Sequence, residues 1–326
     1  LKRPPSSSSL SVERVPFRCR VLSFALVGAW SFVWLASCVG DDPILDERPT
    51  TDGSAQTEMT SPPPNVVVND ARSDACPQPR SSIGVFRPRT REFFLRRRVD
   101  ADVIYPPPSV LDVPDSAARP LVGDWNGDGQ SGIAVFDPIH KKIYLRNSLS
   151  PGKADEVRPI APPSNAGECF TFAGRFRACA ADDVAICCVD GNDGGNDGGM
   201  SPSFQCRLGT GDDPIEISYG IAGDRIVFGD WNGDGVETIG VYRPSDRSFH
   251  LRNTNDTGFA EVVFPFPLDA GPEAVPVAMD LGEGRSAVGL YQRGFFFFYS
   301  TTTDAGATFH FGDPDDEPLT GFFMTE

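Results

Sequence analysis

Histidine is nearly missing from this chain: among 326 residues only His140, His250 and His310 occur. Their spacing matches no metal-ligand or triad signature, and no His-Glu-x-x-His segment exists. Gly-x-Ser-x-Gly elbows and phosphate-cradling glycine loops are absent too, which removes the best-marked hydrolase and nucleotide-binding classes. No cysteine pair shows Cys-x-x-Cys spacing, so a zinc ribbon or finger is not expected. Positive charge is scarce, 29 Lys and Arg against 45 Asp and Glu, for a formal net charge of −16. Such a surface repels nucleic acid and anionic lipid and suits a soluble domain that attracts divalent cations. After residue 40 no segment keeps a 3.6-residue apolar spacing long enough to mark a helix.

What is present is turn chemistry. There are 33 glycines and 30 prolines, and the apolar residues arrive in short runs. Short runs punctuated by Gly, Pro, Asn and Asp indicate an all-β fold. The runs repeat. Ser82-Ile-Gly-Val-Phe-Arg-Pro88, Gly132-Ile-Ala-Val-Phe-Asp-Pro138, Thr238-Ile-Gly-Val-Tyr-Arg-Pro244 and Ala287-Val-Gly-Leu-Tyr-Gln292 align, and each is followed by a second apolar run ending near Arg97, Asn147, Asn253 or Ser300. A worn copy, Asp183-Val-Ala-Ile-Cys-Cys188 followed by Ser203-Phe-Gln-Cys-Arg207, lies between the second and third of these. The anchoring residues Ile83, Ile133, Val184, Ile239 and Val288 sit 50, 51, 55 and 49 apart, which defines five copies of one β-rich unit.

Each copy parses into four strands, A to D. In the best copy these are Leu121 to Trp125, Ile133 to Phe136, Ile143 to Leu145 and Val157 to Ala161. The other A strands are expected at Phe172 to Phe176, Ile226 to Trp231, Val275 to Met279 and Leu319 to Phe323. Further D strands are expected at Asp102 to Tyr105, Ile215 to Tyr219, Val262 to Phe264 and Thr308 to Phe311. Strand B is apolar almost throughout, as a strand covered on both faces should be. Its second core position is always small (Gly84, Ala134, Ala185, Gly240, Gly289), which predicts close approach of a neighbouring sheet. The first copy starts at strand B, and the last is followed by Leu319-Thr-Gly-Phe-Phe323, an A strand with no B after it. The missing strand and the orphan strand match. The expected fold is therefore a five-bladed β-propeller of four-stranded antiparallel blades, closed when the C-terminal strand completes blade one. An open array, or a ring completed by dimerisation, is the alternative.

Gly123-Asp-Trp-Asn-Gly-Asp-Gly129 and Gly229-Asp-Trp-Asn-Gly-Asp-Gly235, each running into strand B, resemble FG-GAP or VCBS-type repeats. Tyr219-Gly-Ile-Ala-Gly223 and Phe311-Gly-Asp-Pro314 resemble the Phe-Gly and Gly-Ala-Pro marks of that family. The resemblance implies propellers like those of integrin α-subunit heads, with Ca²⁺ in the Asp-rich loop. The loops themselves place oxygen donors at every second position: Asp124, Asn126 and Asp128, then Asp230, Asn232 and Asp234. The backbone carbonyls of Gln130 and Val236 are the next expected ligands, a hard-oxygen set suited to Ca²⁺. The ninth position, commonly Asp in the family, is Gly132 or Thr238 here, which weakens the site; Glu237 is a candidate substitute. An Asx-type turn without metal is the competing reading. The other copies have lost the loop, with Arg175, a shortened Asp280-Leu-Gly-Glu283, and Phe322 at its first position.

The N-terminus, with Arg14, Arg18 and Arg20 before an apolar stretch to Ala36 and then Ser37-Cys38, resembles a bacterial lipoprotein signal peptide. Residues 1–37 are then the signal, Cys38 the lipidated residue, 38–75 an acidic, Pro-rich disordered tether, and 76–326 the propeller. Val39 after the cysteine, in that family's sorting pattern, points to the outer membrane. Six further cysteines, Cys76, Cys169, Cys179, Cys187, Cys188 and Cys206, fit three disulfides in an oxidising compartment. Five of them crowd into the worn copy, where disulfides are expected to replace lost packing. Arg96, Arg146, Arg207 and Arg252 recur after the strand-C core, read as edge charges against aggregation, with an anion-binding ring as the alternative. The functional expectation is a monomeric, non-catalytic module in the bacterial envelope that binds an extracytoplasmic protein or glycan. It touches the membrane only through its lipid. A carbohydrate-active enzyme, glycosidase or lyase, with acids at the channel, and a purely structural envelope lipoprotein, are the alternatives.

Overall fold

The computed structural model describes residues 81–96, 111–113, 119–163, 166–178, 180–190, 204–269, 271, 273–303 and 305–323. All regular elements among them are strands. Blades two to five are four-stranded antiparallel meanders whose strand order follows the chain. Their A strands are Arg119–Gly123, Ala166–Gly174, Arg225–Gly229 and Val275–Asp280. Blade one pairs Ser82–Arg87 with Glu92–Leu95 on one side and with the C-terminal strand Glu317–Gly321 on the other. The chain thus closes its ring by lending its last strand to its first blade. The D strand expected at 102–105 lies outside the described residues, as do 1–80, Cys179 and residues 191–203.

Closure is visible in the packing as well as in the pairing. The buried apolar residues fall into five clusters, and each joins two adjacent blades. Four of them unite blades one with two, two with three, three with four, and four with five. The fifth packs Val277, Met279, Tyr291, Phe296 and Phe298 of blade five against Ile83 and Val85 of blade one. An open array of five blades would have four such interfaces. Each fully buried Leu- or Phe-sized side chain contributes about 1.5–3 kcal/mol, so the fifth interface is a large fraction of the stability.

The strand ends correct the sequence reading at one recurring place. Strand A stops at Gly123, Gly174, Gly229 and Gly321, two residues before the aromatic expected to end it. Trp125, Phe176, Trp231 and Phe323 instead fold back over that glycine, where a β-carbon would meet the ring at 2.6–2.8 Å. Only glycine leaves room for the ring. The crowding at Gly84, Gly240 and Gly289 also has a different source from the one expected. The nearest atoms belong to Leu95, Leu251 and Phe298, on the paired strand C of the same blade, not to a neighbouring sheet.

Blade three is held differently from its neighbours. Cys187 and Cys188 are adjacent on strand B and point to opposite faces of the blade. Cys188 is bonded to Cys169 on strand A, and Cys187 to Cys206 on strand C. Cys188 joins the core shared with blade two, and Cys187 and Cys206 the core shared with blade four. Cys76 and Cys179 fall outside the described residues. One further pairing was not anticipated: Leu111–Asp112 runs parallel to Gly152–Lys153, and it brings the buried Leu111 onto the blade-one and blade-two core.

Candidate functional site

A meander of this kind has two rims. One carries the B–C and D–A turns, and the other the A–B and C–D turns. The Asp-rich loops are A–B turns and therefore lie on the second rim. In the first loop, the Asp124 carboxylate accepts from three backbone amides, Gly127 and Asp128 on Oδ1 (2.8 and 3.0 Å) and Gly129 on Oδ2 (2.8 Å). Asp230 repeats this with Gly233, Asp234 and Gly235 at 2.7, 3.1 and 2.9 Å. Asn126 Nδ2 donates to Asp128 Oδ2 at 2.8 Å, and Asn232 Nδ2 to Asp234 Oδ2 at 2.9 Å. The amides of Gln130 and Val236 donate to Asp128 and Asp234, both at 2.8 Å. Gly127, Gly129, Gly233 and Gly235 take positive φ of 75–86°, which lets the amides turn inward. The two loops are superposable in their bonding, and each brings its three sequence-predicted side chains together.

Burial pushes the Asp124 carboxyl above its ordinary range, the loop amides counter it, and the nearby Asp182 and Asp128 push it further up. Asp230 is raised by burial in the same way, with Asp234 adding to it. In both loops the three amide donors offset only part of the cost of burying the carboxylate. Among the described residues, no three or more His, Cys, Asp or Glu side chains gather into one cluster. The donor chemistry still fits a hard cation, with carboxylate, amide and carbonyl oxygens in one short loop. Glu237, considered as an eighth-position ligand, is turned elsewhere: its Oε2 accepts from the Arg175 amide of the neighbouring blade at 3.1 Å.

That contact belongs to a recurring joint that sequence reading missed. The residue before strand B reaches sideways and clasps the residue after strand A of the adjacent blade. Asp182 accepts from the Asp124 amide at 2.9 Å and donates its own amide to the Asp124 carbonyl at 2.7 Å. Glu237 does the same with Arg175, Ser286 with Asp230, and Ser131 with Phe322. All four clasp side chains are nearly buried. The signal was the oxygen-bearing side chain recurring before each strand B, but its partner sits a whole blade away. Where the loop has changed, the outcome differs between blades. In blade three Arg175 stands 3.8 Å from Asp182. In blade five the shortened loop, expected from the sequence to be lost, keeps its cradle. Asp280 accepts from the amides of Gly282, Glu283 and Gly284 at 2.8–3.1 Å, and the Glu283 carboxylate accepts from the hydroxyls of Ser300, Thr302 and Thr303 at 2.8–3.0 Å.

The recurring arginines form neither an anion-binding ring nor a simple edge charge. Arg146 donates to the carbonyls of Ser150 and Lys153, both at 2.8 Å, and Arg252 to those of Asp256 and Phe259 at 2.9 and 2.7 Å. Each guanidinium lies against a glycine, Gly152 or Gly258, where a β-carbon would collide with it. They staple the C–D turns. Arg207 instead faces Glu216 on the adjoining strand at 3.4 Å. Arg96 is buried. Arg252→Lys keeps the charge but loses the planar fork, so it is expected to cost about 1–2 kcal/mol in urea denaturation. An unchanged midpoint would show that the staple contributes nothing.

On the first rim, two equivalent ion pairs lock strand B to the D–A turn. Arg243 grips Asp224 through Nε and Nη2 at 2.8 and 2.9 Å, and Arg87 grips Asp316 at 3.0 and 2.9 Å. The glycines of the Phe-Gly-like segments, Gly220 and Gly312, follow strand D of blades three and five and rest against Val241 and Val85 on strand B of the next blade, with φ of 82° and 101°. His140 Nδ1 pairs with Asp137 at 2.6 Å and His250 Nε2 with the Ser248 hydroxyl at 2.9 Å, each an interaction within its own strand or turn.

Between the rims the five A strands surround an axial channel of about 400 Å³. Its wall includes Leu121, Val122, Phe172, Ala173, Val227, Phe228, Val277, Ala278 and Leu319. At the mouth on the first rim stand Arg119 and Glu317, which begin their strands. Arg119 lies over the Phe170 ring at 5.3 Å and 3.8 Å from Glu168. Glu317 is open to water but flanked by the wall, and that burial raises its carboxyl above the usual range while Arg119 partly offsets the shift.

No protein-family model matches the chain, and no curated protein matches it significantly. Two solved structures are similar in outline. One is a luciferin-regenerating enzyme, at 13% identity and a TM-score of 0.38, with 72% of this chain and 78% of that one covered. The other is the Photorhabdus luminescens Tc holotoxin pore carrying the TccC3-D651A mutation, at 14% identity and a TM-score of 0.36, with 68% of this chain and 10% of that one covered. Similarity this distant carries nothing about activity. The class of the protein rests on its own geometry, which is a closed five-bladed β-propeller with disulfides, and the disulfides indicate an extracellular or periplasmic setting. Among the described residues, no helix is long and apolar enough to cross a membrane.

Proposed function

We propose that this protein is a non-catalytic recognition module of the bacterial envelope, tethered by a lipid on Cys38, that presents one propeller rim to an extracytoplasmic protein or glycan. The observation that carries the reading is the channel wall, where Glu317 is the one carboxylate among the described lining residues. Hydrolysis of a glycoside by the usual route takes two carboxylates flanking the bond. The first rim is better suited to contact, with rigid turns held by Arg87–Asp316 and Arg243–Asp224 and with Ile139, Lys141, Arg247 and Arg293 exposed. Purified full chain on a glycan array, and against periplasmic and surface proteins, is expected to yield a partner whose binding is weakened by Lys141→Glu with Arg247→Glu. Release of reducing sugar or an unsaturated product from any array glycan would replace this reading with the enzyme.

Ca²⁺ in the two Asp loops is the second part of the proposal, with Asp124, Asn126, Asp128 and the Gln130 carbonyl at one site. Asp230, Asn232, Asp234 and the Val236 carbonyl form the other. Bound there, the cation supplies the positive charge that the raised Asp124 and Asp230 carboxyls lack. With affinities on the order of 10⁻³ M, about 5 mM Ca²⁺ stabilises the fold by roughly 2 kcal/mol over two sites. For a domain of this size that is a rise of about 4–8 °C in Tm. The pH dependence gives a second readout. A carboxyl raised in the folded state contributes stability below its unfolded pKa and loses it as pH rises through the folded value. In chelator, the parent is therefore expected to gain on Asp230→Asn as pH falls toward 4, and added Ca²⁺ is expected to abolish that trend. No thermal shift with Ca²⁺ would leave the loops as metal-free turns.

A further inference from the structure

The first-rim end of blade five carries a row of side chains that its sister blades lack. The last rung before the B–C turn pairs Arg87 with Glu92 in blade one, Asp137 with Lys142 in blade two and Arg243 with Ser248 in blade four. Blade five instead places Gln292 opposite Phe295, and Phe295 opposite His310 on strand D. Residues opposite one another in an antiparallel sheet share a face, so an amide, a phenyl ring and an imidazole stand side by side. The next rung inward pairs Leu290 with Phe297, both packed into the core of blades four and five, so the row faces blade four. Phe295 is 43% exposed, with its ring within 18° of parallel to that of Phe297 and 4.5 Å from that of His310.

A single exposed phenylalanine needs no explanation. This one is braced by two rings and flanked by polar groups that the fold does not use. Among the described residues, no partner engages the Gln292 side-chain amide, the His310 ring nitrogens or the Arg293 guanidinium. Arg293 and Gly294 make a two-residue turn with φ of 49° and 86°, a geometry that Asn-Gly or Gly-Gly takes with less strain. Arginine is therefore kept there at a cost to the turn, and such a cost marks a contact with something outside the fold. Among the described residues, the other non-glycine positions of positive φ are Arg91, Lys141 and Arg247, in the B–C turns of blades one, two and four. Long donor side chains thus recur at strained positions along the same rim.

We propose that the row of Gln292, Phe295 and His310, with Arg293, is a glycan subsite that takes one hexopyranose of an extracytoplasmic polysaccharide. This rests on the recognition reading above and names the class of its partner. The C–H bonds on one face of a pyranose carry slight positive charge and pack on the electron-rich face of an aromatic ring. Its hydroxyls radiate around the edge, where the Gln292 amide and the His310 imidazole each donate and accept and the Arg293 guanidinium donates. Strands B and D, which carry the amide and the imidazole, lie about 10 Å apart with Phe295 between them. One sugar, with a hydrogen bond at either end, fills that gap. A protein anchor is buried in a desolvated pocket, whereas this ring is an open shelf with polar groups on both sides.

The test is titration calorimetry of the full chain with cellotetraose, chitotetraose, β-1,4-mannotetraose and β-1,4-galactotetraose. Cyclohexanol serves as an apolar ring without the set of hydroxyls. At least one tetraose is expected to bind with a Kd on the order of 1 mM, and cyclohexanol to give no heat. Phe295→Ala is expected to weaken that tetraose by roughly fivefold or more, whereas Phe295→Tyr keeps the ring and the affinity. Arg293→Asn suits the left-handed turn, so Tm should hold or rise while binding falls several-fold, a split that a purely structural arginine does not give. Three results would overturn the proposal. They are no heat from any tetraose at about 20 mM, equal affinity for cyclohexanol, or affinity that ignores Phe295→Ala or Arg293→Asn. A protein partner captured on this rim by a chain that binds no tetraose would overturn the glycan subsite and leave the recognition reading standing.

Discussion

Truncation before Glu317 is expected to abolish cooperative unfolding of the propeller, although it removes only ten residues. The lost strand pairs along its full length with Ser82–Phe86, and it brings Leu319 and Phe323 into the core shared by blades one and two. It also supplies Phe322, which clasps Ser131 of blade two. Without it, the strand-B edge of blade one is open and the core shared by blades one and two loses a wall. The sum of one buried Leu, one buried Phe and a five-residue ladder is on the order of 5–10 kcal/mol, comparable with the whole stability of a typical domain. Because a truncated chain often fails to accumulate, Phe323→Ala is the quantitative version. Phe323 is fully buried, so about 3–5 kcal/mol should be lost in urea denaturation, with the m-value retained. A loss below about 1 kcal/mol would mean that the last strand does not close the ring.

Replacing Cys169, Cys187, Cys188 and Cys206 together by Ala should cost about 6 kcal/mol. Each bridge closes a 19-residue span, and a loop of that size constrains the unfolded chain by about 3 kcal/mol. The two spans overlap only at the adjacent Cys187 and Cys188, so each bridge constrains a different stretch of the unfolded chain. The packing makes the effect larger still, since three of these cysteines lie in the cores that blade three shares with both neighbours. Loss is expected to begin in blade three. Non-reducing peptide mapping should recover Cys169 with Cys188 and Cys187 with Cys206. Free thiols at these positions, or an unchanged melt in reductant, would remove the idea that covalent bonds replace this blade's missing contacts.

Much of the fold was legible because repetition is a property of the sequence itself. A unit of about fifty residues that recurs five times must be satisfied by contacts between like neighbours, and its spare terminal strand has one natural place to go. The short apolar runs fixed strands B and C almost to the residue, since a strand buried on both faces tolerates nothing else. Strand A was placed about two residues late. Trp125 and Trp231 look like its continuation, and only the folded chain shows them turned back onto Gly123 and Gly229.

The Asp loops were found from spacing alone, because all their members lie within seven consecutive residues. Contacts across larger separations were not. Ser131, Asp182, Glu237 and Ser286 read as ordinary polar residues until the adjacent blade is in position to receive them. Arg146 and Arg252 looked like surface charges because the carbonyls they cap belong to turns with no sequence signature.

By itself, then, the sequence determined the repeat, its count and the chemistry of the local loops, which depend on neighbours along the chain, and the closing partner of the first blade, which follows from one unit lacking the strand that another leaves spare. Tertiary structure alone decided the inter-blade clasps. They arise from backbone groups whose directions are set by strand register, and register joins residues that the chain itself keeps far apart.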